Sequence, residues 1–356
     1  MRTFLTGGTG FIGRPLTQAL LRRGWSVTAL VRDPRSAEAQ AIQALGAILV
    51  RGDVTERESL RAAMAGADLV IHNAGHYEVG VDAAGRRRME AVNVCGTDNV
   101  LGLALELKVP RTVYVSSVVA FGDTGPQERD ETFVREHPPR TWYEHTKAEA
   151  HTLALQYQAR GLPLIIACPN GVIGADDHSP WGYFLRLYLN RLMPPMGWAP
   201  ASLFSLVEVD DLAAGLALAA ERGRLGEIYL FGGETRTFRE HLEMWGLAPG
   251  GFRPLVWLPT WLAAVSFAPF EPLLRALGLP AFISRETAWG SGINYGYSNA
   301  KARRELGWEP QPARAMWLKT LEGELACRAR SERRGLASRL RPVGAVRPAT
   351  TEAVQA

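Results

Sequence analysis

The chain has 356 residues, 47% of them hydrophobic and 21% charged. That is enough apolar mass for one large globular unit or two fused ones, and an ordinary charge load for an enzyme. The formal net charge of +4 comes from the end of the chain, where residues 328–356 hold seven Arg against two Glu. The rest is close to neutral, so nucleic acid is not an expected partner, and the Arg-, Ala- and Pro-rich tail reads as disordered.

Residues 2–6 form a short apolar strand, not the charged start of a signal peptide. Cys95, Cys168 and Cys327 are scattered without metal-ligand spacing. Both features fit a reduced, cytoplasmic setting and no metal. Helical spacing follows over 11–23, then a strand at 26–31, a helix at 37–45 and a strand at 47–51. Thr55 is the expected cap of a helix over 56–65. A strand at 68–72, a long helix around 87–107, a strand at 111–117, a helix at 143–160 and a strand at 164–168 complete the alternation. Continuous apolar strands separated by helices predict an α/β, doubly wound parallel-sheet Rossmann domain. Residues 207–220 read as strand into helix and 227–231 as strand. The stretch 177–202 mixes aromatics with Pro, and the chain to about 312 is irregular, Pro-rich and Trp-rich. The domain reading is therefore 1–173 plus 204–232 for the Rossmann domain and 174–203 plus 233–327 for a smaller, partly interleaved C-terminal substrate lobe. Residues 328–356 are the tail.

Between the first strand and first helix stands Thr6-Gly7-Gly8-Thr9-Gly10-Phe11-Ile12-Gly13. Gly7 permits a tight turn, Gly10 lets backbone approach a pyrophosphate, and Gly13 allows close helix–strand packing. The helix N-terminus then offers free N–H groups and a positive dipole end. NAD-binding folds usually end the second strand with an acid for the ribose 2′-OH; here Val31 holds that place and Arg32 follows. A guanidinium there suits a 2′-phosphate, so NADP(H) is expected over NAD(H), which the neighbouring Asp33 would serve instead.

Tyr143-Glu144-His145-Thr146-Lys147 places a phenol and an ammonium one helical turn apart on one face. The ammonium should favour the phenolate and lower the Tyr143 pKa, fitting it to exchange a proton with an alcohol oxygen. Tyr114-Val115-Ser116-Ser117 ends the fifth strand, Gly52-Asp53-Val54 follows the third, and His72-Asn73-Ala74-Gly75 ends the fourth. Such strand ends are where ligands bind in these sheets.

With these segments, and with Asn93-Val94-Cys95-Gly96, Cys168-Pro169-Asn170-Gly171-Val172 and Ser298-Asn299-Ala300-Lys301, the chain resembles the extended short-chain dehydrogenase/reductases. These are also called the NAD-dependent epimerase/dehydratase family, and the likeness is strongest to the dihydroflavonol-reductase-like branch. It runs from residue 1 to about 310. The resemblance implies Tyr143 as acid/base, Lys147 as the ribose ligand that tunes it, and Ser117 as the hydrogen-bond donor to the substrate oxygen. Gly7, Thr9, Gly10, Phe11, Ile12, Gly13 and Arg32 would hold the near half of the cofactor. Asp53 and Val54 would lie along the adenine, Ala74 and Gly75 along the ribose–phosphate path, and Pro169, Asn170 and Val172 near the nicotinamide, with Ser116 beside Ser117. Asn93 is either structural or a proton relay.

Relatives acting on nucleotide sugars often carry Arg-Asp where this chain has Phe204-Ser205. That absence, with the aromatics of residues 181–198, points to a largely apolar ketone or secondary alcohol and a carbonyl reductase or alcohol dehydrogenase. A sugar epimerase/dehydratase is the second reading and a non-catalytic NADP-binding regulator the third. His76 and Tyr77 are candidates for the pocket wall. Residues 254–270 carry no charge but three Pro interrupt them, so packing or peripheral membrane contact is expected and no transmembrane span. A small molecule is the expected partner, and a homodimer stays open.

Overall fold

A computed structural model describes residues 1–277 and 281–333. Its centre is a seven-stranded parallel sheet. In chain order its strands are β1 (Arg2–Thr6), β2 (Ser26–Val31), β3 (Ile48–Arg51), β4 (Leu69–His72), β5 (Thr112–Val115), β6 (Leu164–Pro169) and a last strand, Ile228–Phe231. Across the sheet the order is Ile228–Phe231, β6, β5, β4, β1, β2, β3. The direction of winding reverses at β1, which pairs with β2 on one side and β4 on the other. The crevice at that reversal, beyond the carboxyl ends of the strands, is where these sheets bind ligands.

The central strands β4, β5 and β6 are buried along their whole length because both faces are covered, while β3 at the edge is only partly so. Alternate residues divide between two cores. Phe4, Val70 and Tyr114 pack with Leu101, Ala150 and Ala154 of α5 (Gly96–Glu106) and α6 (Trp142–Ala159). Leu5, Ile71 and Val113 pack with Leu16, Leu20 and Leu216 of α1 (Gly13–Arg22) and α8 (Val209–Arg222). Helices α2 (Ala37–Ala44) and α3 (Arg57–Met64) cover β2, β3 and the neighbouring edge.

Four sequence expectations change. Thr55 does not cap α3: Glu56 holds the N-cap position without a side-chain bond, while the Thr55 backbone and hydroxyl both bind Asp53 Oδ1. The long helix around 87–107 is α4 (Ala83–Glu90), a π-helical turn (Ala91–Cys95) and α5. The region after 173 is mostly helical. It contains α7 (Pro180–Leu189), α9 (Phe238–Met244), α10 (Thr260–Phe267), α11 (Phe270–Ala276), α12 (Arg285–Gly290) and α13 (Ala300–Leu306). Finally, α14 (Ala313–Arg333) runs past residue 328, so the start of the basic tail continues a helix, with Arg328 bonded to the Leu189 carbonyl at 3.0 Å. The remainder of that tail lies outside the described residues.

A third core belongs to the smaller lobe, where Phe184, Trp198, Phe238, Trp245 and Trp317 interlock through edge-to-face and tilted ring contacts. Among the described residues no helix is long and apolar enough to cross a membrane.

Candidate active site

The turn from β1 into α1 is shaped by glycines that tolerate no side chain. Gly7 has φ +71°, and a Cβ there would stand 2.7 Å from the Ala74 nitrogen; a Cβ on Gly13 would stand 1.9 Å from the Gly7 carbonyl oxygen. Gly10 is exposed, and a Cβ would meet only the Gly7 oxygen at 3.4 Å. Ile12 is the N-cap of α1, so no side chain satisfies its first N–H groups, and its first turn holds no acid. Thr9 is half-buried on the same loop. This cradle fits a dinucleotide pyrophosphate.

Around it the other expected cofactor residues line up along the strand ends. Asp53 Oδ1 is held by Thr55, and Val54 is buried, its carbonyl taking the Asn99 amide at 2.9 Å. The Ala74 N–H donates to Thr6 Oγ1 at 3.1 Å, and Gly75 lies beside Asn93 Oδ1. Arg32 is exposed and has no ion pair among the described residues, whereas Asp33 is turned to Arg35, accepting its N–H at 2.9 Å. The acid next to Arg32 is thereby engaged.

Thr141 caps α6 by accepting the Glu144 N–H at 3.1 Å, which sets Tyr143 in the first turn and Lys147 one turn on. Lys147 is buried; its ammonium donates to the Val115 carbonyl at 3.3 Å and lies 5.5 Å over the Tyr114 ring. Burial pulls Lys147 down to about 8. Burial pushes Tyr143 up to about 12, with partial relief from the Ser117 hydroxyl. The expected lowering of Tyr143 by the ammonium is not found: desolvation sets the direction, and one ammonium N–H is turned to the Val115 carbonyl. Ser117 lines the same cavity as Tyr143. Ser116 does not; its hydroxyl is bonded to His151 Nδ1 at 2.9 Å inside the core, leaving only its backbone for a cofactor.

Asn93 sits in the π-helical turn and uses its whole amide. Its Oδ1 accepts the His76 N–H at 2.7 Å, and its Nδ2 donates to the His76 carbonyl at 2.9 Å and to Thr146 Oγ1 at 3.1 Å. It braces the loop carrying Tyr77 against α6, which is the structural of its two expected roles.

Phe11, Ile12, Asn170 and Val172 border a cavity of about 490 Å³, while the buried Pro169 does not reach it. Asn170 is already committed, donating to the Tyr295 carbonyl at 2.7 Å and accepting the Gly171 N–H at 2.7 Å. Tyr77, Val119, Trp181, Phe204, Phe238 and Trp245 form much of the apolar wall. Tyr77 packs edge-on against Tyr143 with ring centroids 4.7 Å apart; His76 stays outside, beside Glu78. Of the aromatics expected from 181–198, Trp181, Phe184 and Trp198 face the cavity, while Tyr183 packs on Phe282 and the Tyr188 hydroxyl binds Phe252.

Three carboxylates on this wall escaped the sequence reading: Glu144, Asp177 and Glu286. Asp177 is buried and accepts from Ser179 and the Gly182 N–H; Glu286 accepts the Gly80 N–H at 2.7 Å. Burial raises both. They come from three distant segments with no shared motif, and only Glu144, next to Tyr143, had a neighbour that marked it.

Residues 3–232 match the model of the family described as NAD dependent epimerase/dehydratase. The chain belongs to this family. Within it, the chain is 34% identical over 317 residues to a 4-hydroxy-2-methyl-3-oxo-4-farnesyl-3,4-dihydroquinoline-1-oxide ketoreductase of Stigmatella aurantiaca, covering 86% of this chain and 92% of that one. It is 31% identical to sterol demethylase protein B of Methylococcus capsulatus, over 88% and 95% of the two chains. Among solved structures it superposes on that of gox2253 with a TM-score of 0.77 at 31% identity, over 92% and 99%. Family membership makes the chain an NAD(P)-dependent oxidoreductase of the extended short-chain type.

Proposed function

We propose that this family member is an NADPH-dependent carbonyl reductase, or the alcohol dehydrogenase of the reverse direction, acting on a bulky, largely apolar ketone. The observation that carries this reading is that Tyr143 and Ser117 stand on the wall of a cavity otherwise lined chiefly by aromatic and aliphatic side chains. NADP(H) is the favoured cofactor and NAD(H) the second, because Arg32 has no ion pair among the described residues while Asp33 is engaged by Arg35.

The nicotinamide, when bound, supplies the hydride for the carbonyl carbon. Ser117 donates a hydrogen bond to the carbonyl oxygen and fixes its position. Tyr143 passes its proton to that oxygen as negative charge grows there. Lys147 would hold the nicotinamide ribose, and its positive charge would favour the phenolate left on Tyr143. Gly7, Thr9, Gly10 and Gly13 would cradle the pyrophosphate, Asp53 and Val54 would lie along the adenine, and Ala74 and Gly75 along the ribose–phosphate path. Asn170 and Val172 would border the nicotinamide, with the buried Pro169 behind them.

A nucleotide sugar suits this cavity poorly. Phe204 offers no charge, and Ser205 is turned away, bonded to Thr235 and the Tyr297 N–H. Asp177 and Glu286 would face the diphosphate, whose burial needs matched donors. The Stigmatella relative, named for reducing a farnesylated ring ketone, supports a bulky apolar substrate. The free thiols of Cys95, Cys168 and Cys327 suit a reduced, cytoplasmic compartment. The test is consumption of NADPH with a panel of aromatic, alicyclic and prenylated ketones, beside calorimetry with UDP- and dTDP-sugars. Ketone turnover with net NADPH loss is expected. Tight sugar-nucleotide binding without ketone turnover would make the protein an epimerase or dehydratase, and cofactor binding without any turnover would make it a regulator.

A further inference from the structure

The lobe that closes the cavity carries an apolar surface that nothing among the described residues covers. Helix α10 has no charged residue. Its Ala263 and Ala264 pack with Ala288 of α12, which turns Trp261 and Val265 outward, 58% and 57% exposed. Phe270 and Leu273 of α11, and Leu277 after it, are exposed as well, and Leu255 just before α10 is 80% exposed. Single exposed apolar residues are ordinary, but a run of them on consecutive helices marks a surface with a partner.

Charge and access say what that partner is. The Leu255 N–H donates to the Pro195 carbonyl, Arg191 binds the Gly250 carbonyl, and Arg328 of α14 binds the Leu189 carbonyl. The exposed Leu192, Arg191, Arg253 and the end of α14 therefore share one edge with Leu255. Large apolar side chains with Trp261 and Trp289 among them, edged by arginines, match the boundary between acyl chains and anionic headgroups. As for access, Glu271 of α11 and Trp289 of α12 line an open hollow of about 830 Å³. This hollow shares Thr141, Glu286, Gly290 and Ile293 with the catalytic cavity, so α11 borders the way in.

We propose that the α10–α11 face docks on an anionic lipid bilayer and sets the mouth of the catalytic cavity at the membrane, so that an apolar substrate enters from the lipid. The docking stands on surface residues alone; the entry route rests on the reductase reading above.

The full chain is sedimented with phosphatidylcholine vesicles, with and without phosphatidylglycerol. Binding is expected, stronger with the anionic lipid and weakened by salt. The triple variant Trp261→Ser, Val265→Ser, Leu273→Ser should lose binding by about tenfold or more, at an unchanged melting temperature and an unchanged rate on a small water-soluble ketone. A chain that ignores every vesicle, or a triple variant that binds as before, overturns the docking. So does a solution dimer that the triple variant dissociates, which gives the face to a second copy. Stronger binding after removal of 334–356 overturns it too, since that segment would then be the occupant. If the chain binds vesicles but no ketone is reduced in solution or from the vesicles, the reductase reading and the entry route fail while the docking survives.

Discussion

Tyr143 and Lys147 lie one turn apart, yet burial sends their proton affinities in opposite directions, Tyr143 up to about 12 and Lys147 down to about 8. A phenol so placed is a proton donor at neutral pH, which fits reduction of a carbonyl. Tyr143→Phe keeps the ring that packs on Tyr77 and removes only the donor. We expect turnover to fall by about a hundredfold or more, with NADPH affinity and melting temperature close to the parent's. Steady-state rates beside a fluorescence titration check this, and near-normal turnover would place the acid elsewhere. Arg32→Ala addresses the other end of the cofactor. Loss of one charge-assisted contact to a 2′-phosphate, worth about 1.5–3 kcal/mol, should weaken NADPH by roughly tenfold or more and leave NADH almost unchanged. Equal losses for both cofactors would remove Arg32 from the phosphate site.

The β1–α1 turn and α6 were legible in the sequence because glycine spacing and an i, i+4 pair are local signals that survive without knowledge of the fold. The central strands were legible for a related reason: buried on both faces, they read as nearly continuous apolar runs. The smaller lobe was not, since apart from α14 its helices are short, and α10 (TWLAAVSF) lacks the polar face that gives a helix its period. The π-helical turn at Ala91–Cys95 was invisible too, because what stabilises it, the Asn93 bonds to His76 and Thr146, is tertiary. The carboxylates of the cavity wall come together only through the fold. At this scale the loop itself offers a paired test. Gly13→Ala drives a Cβ into the Gly7 carbonyl at 1.9 Å, so the turn must open. We expect a loss of about 1–3 kcal/mol of stability together with most of the NADPH affinity. Gly10→Ala has room in the free protein, with its Cβ 3.4 Å from the Gly7 oxygen, and should spare the melting temperature while weakening NADPH. Thermal unfolding beside the same titration reads both; a Gly13→Ala protein that melts and binds normally would mean that the turn is not held as described.

Across the molecule, three histidines are buried without charge, two in the sheet domain and one in the smaller lobe. His72 lies between Thr6 and Thr97. The Thr97 hydroxyl donates to the Asn93 carbonyl at 2.6 Å, so it accepts from His72 Nε2 and leaves Nδ1 to accept from Thr6. His241 accepts the Trp317 indole N–H on Nδ1 at 3.0 Å and donates from Nε2 to the Phe204 carbonyl. His151 is paired with Ser116. Protonating His72 or His241 puts a second donor where the neighbour already donates, and burial penalises the charge in all three. Desolvation pulls His72 down to about 3, and His151 and His241 down to about 4, from an ordinary 6.5. Between those values the unfolded chain binds protons that the folded one refuses, so unfolding takes up protons there. Stability is therefore full above pH 6.5 and falls as the pH drops toward 4, by at most about 1.4 kcal/mol per pH unit for each histidine. Buried carboxylates such as Asp177, Glu208 and Glu324, raised by desolvation, act in the opposite sense, so the histidine contribution is best isolated as a difference. His241→Gln has no proton to gain, and its melting temperature should fall less steeply on acidification than the parent's. Melting curves at matched ionic strength from about pH 7 to pH 5 check this. Parallel slopes for the two proteins would mean that His241 titrates in the fold as it does in the unfolded chain, which its place between Trp317 and the Phe204 carbonyl forbids.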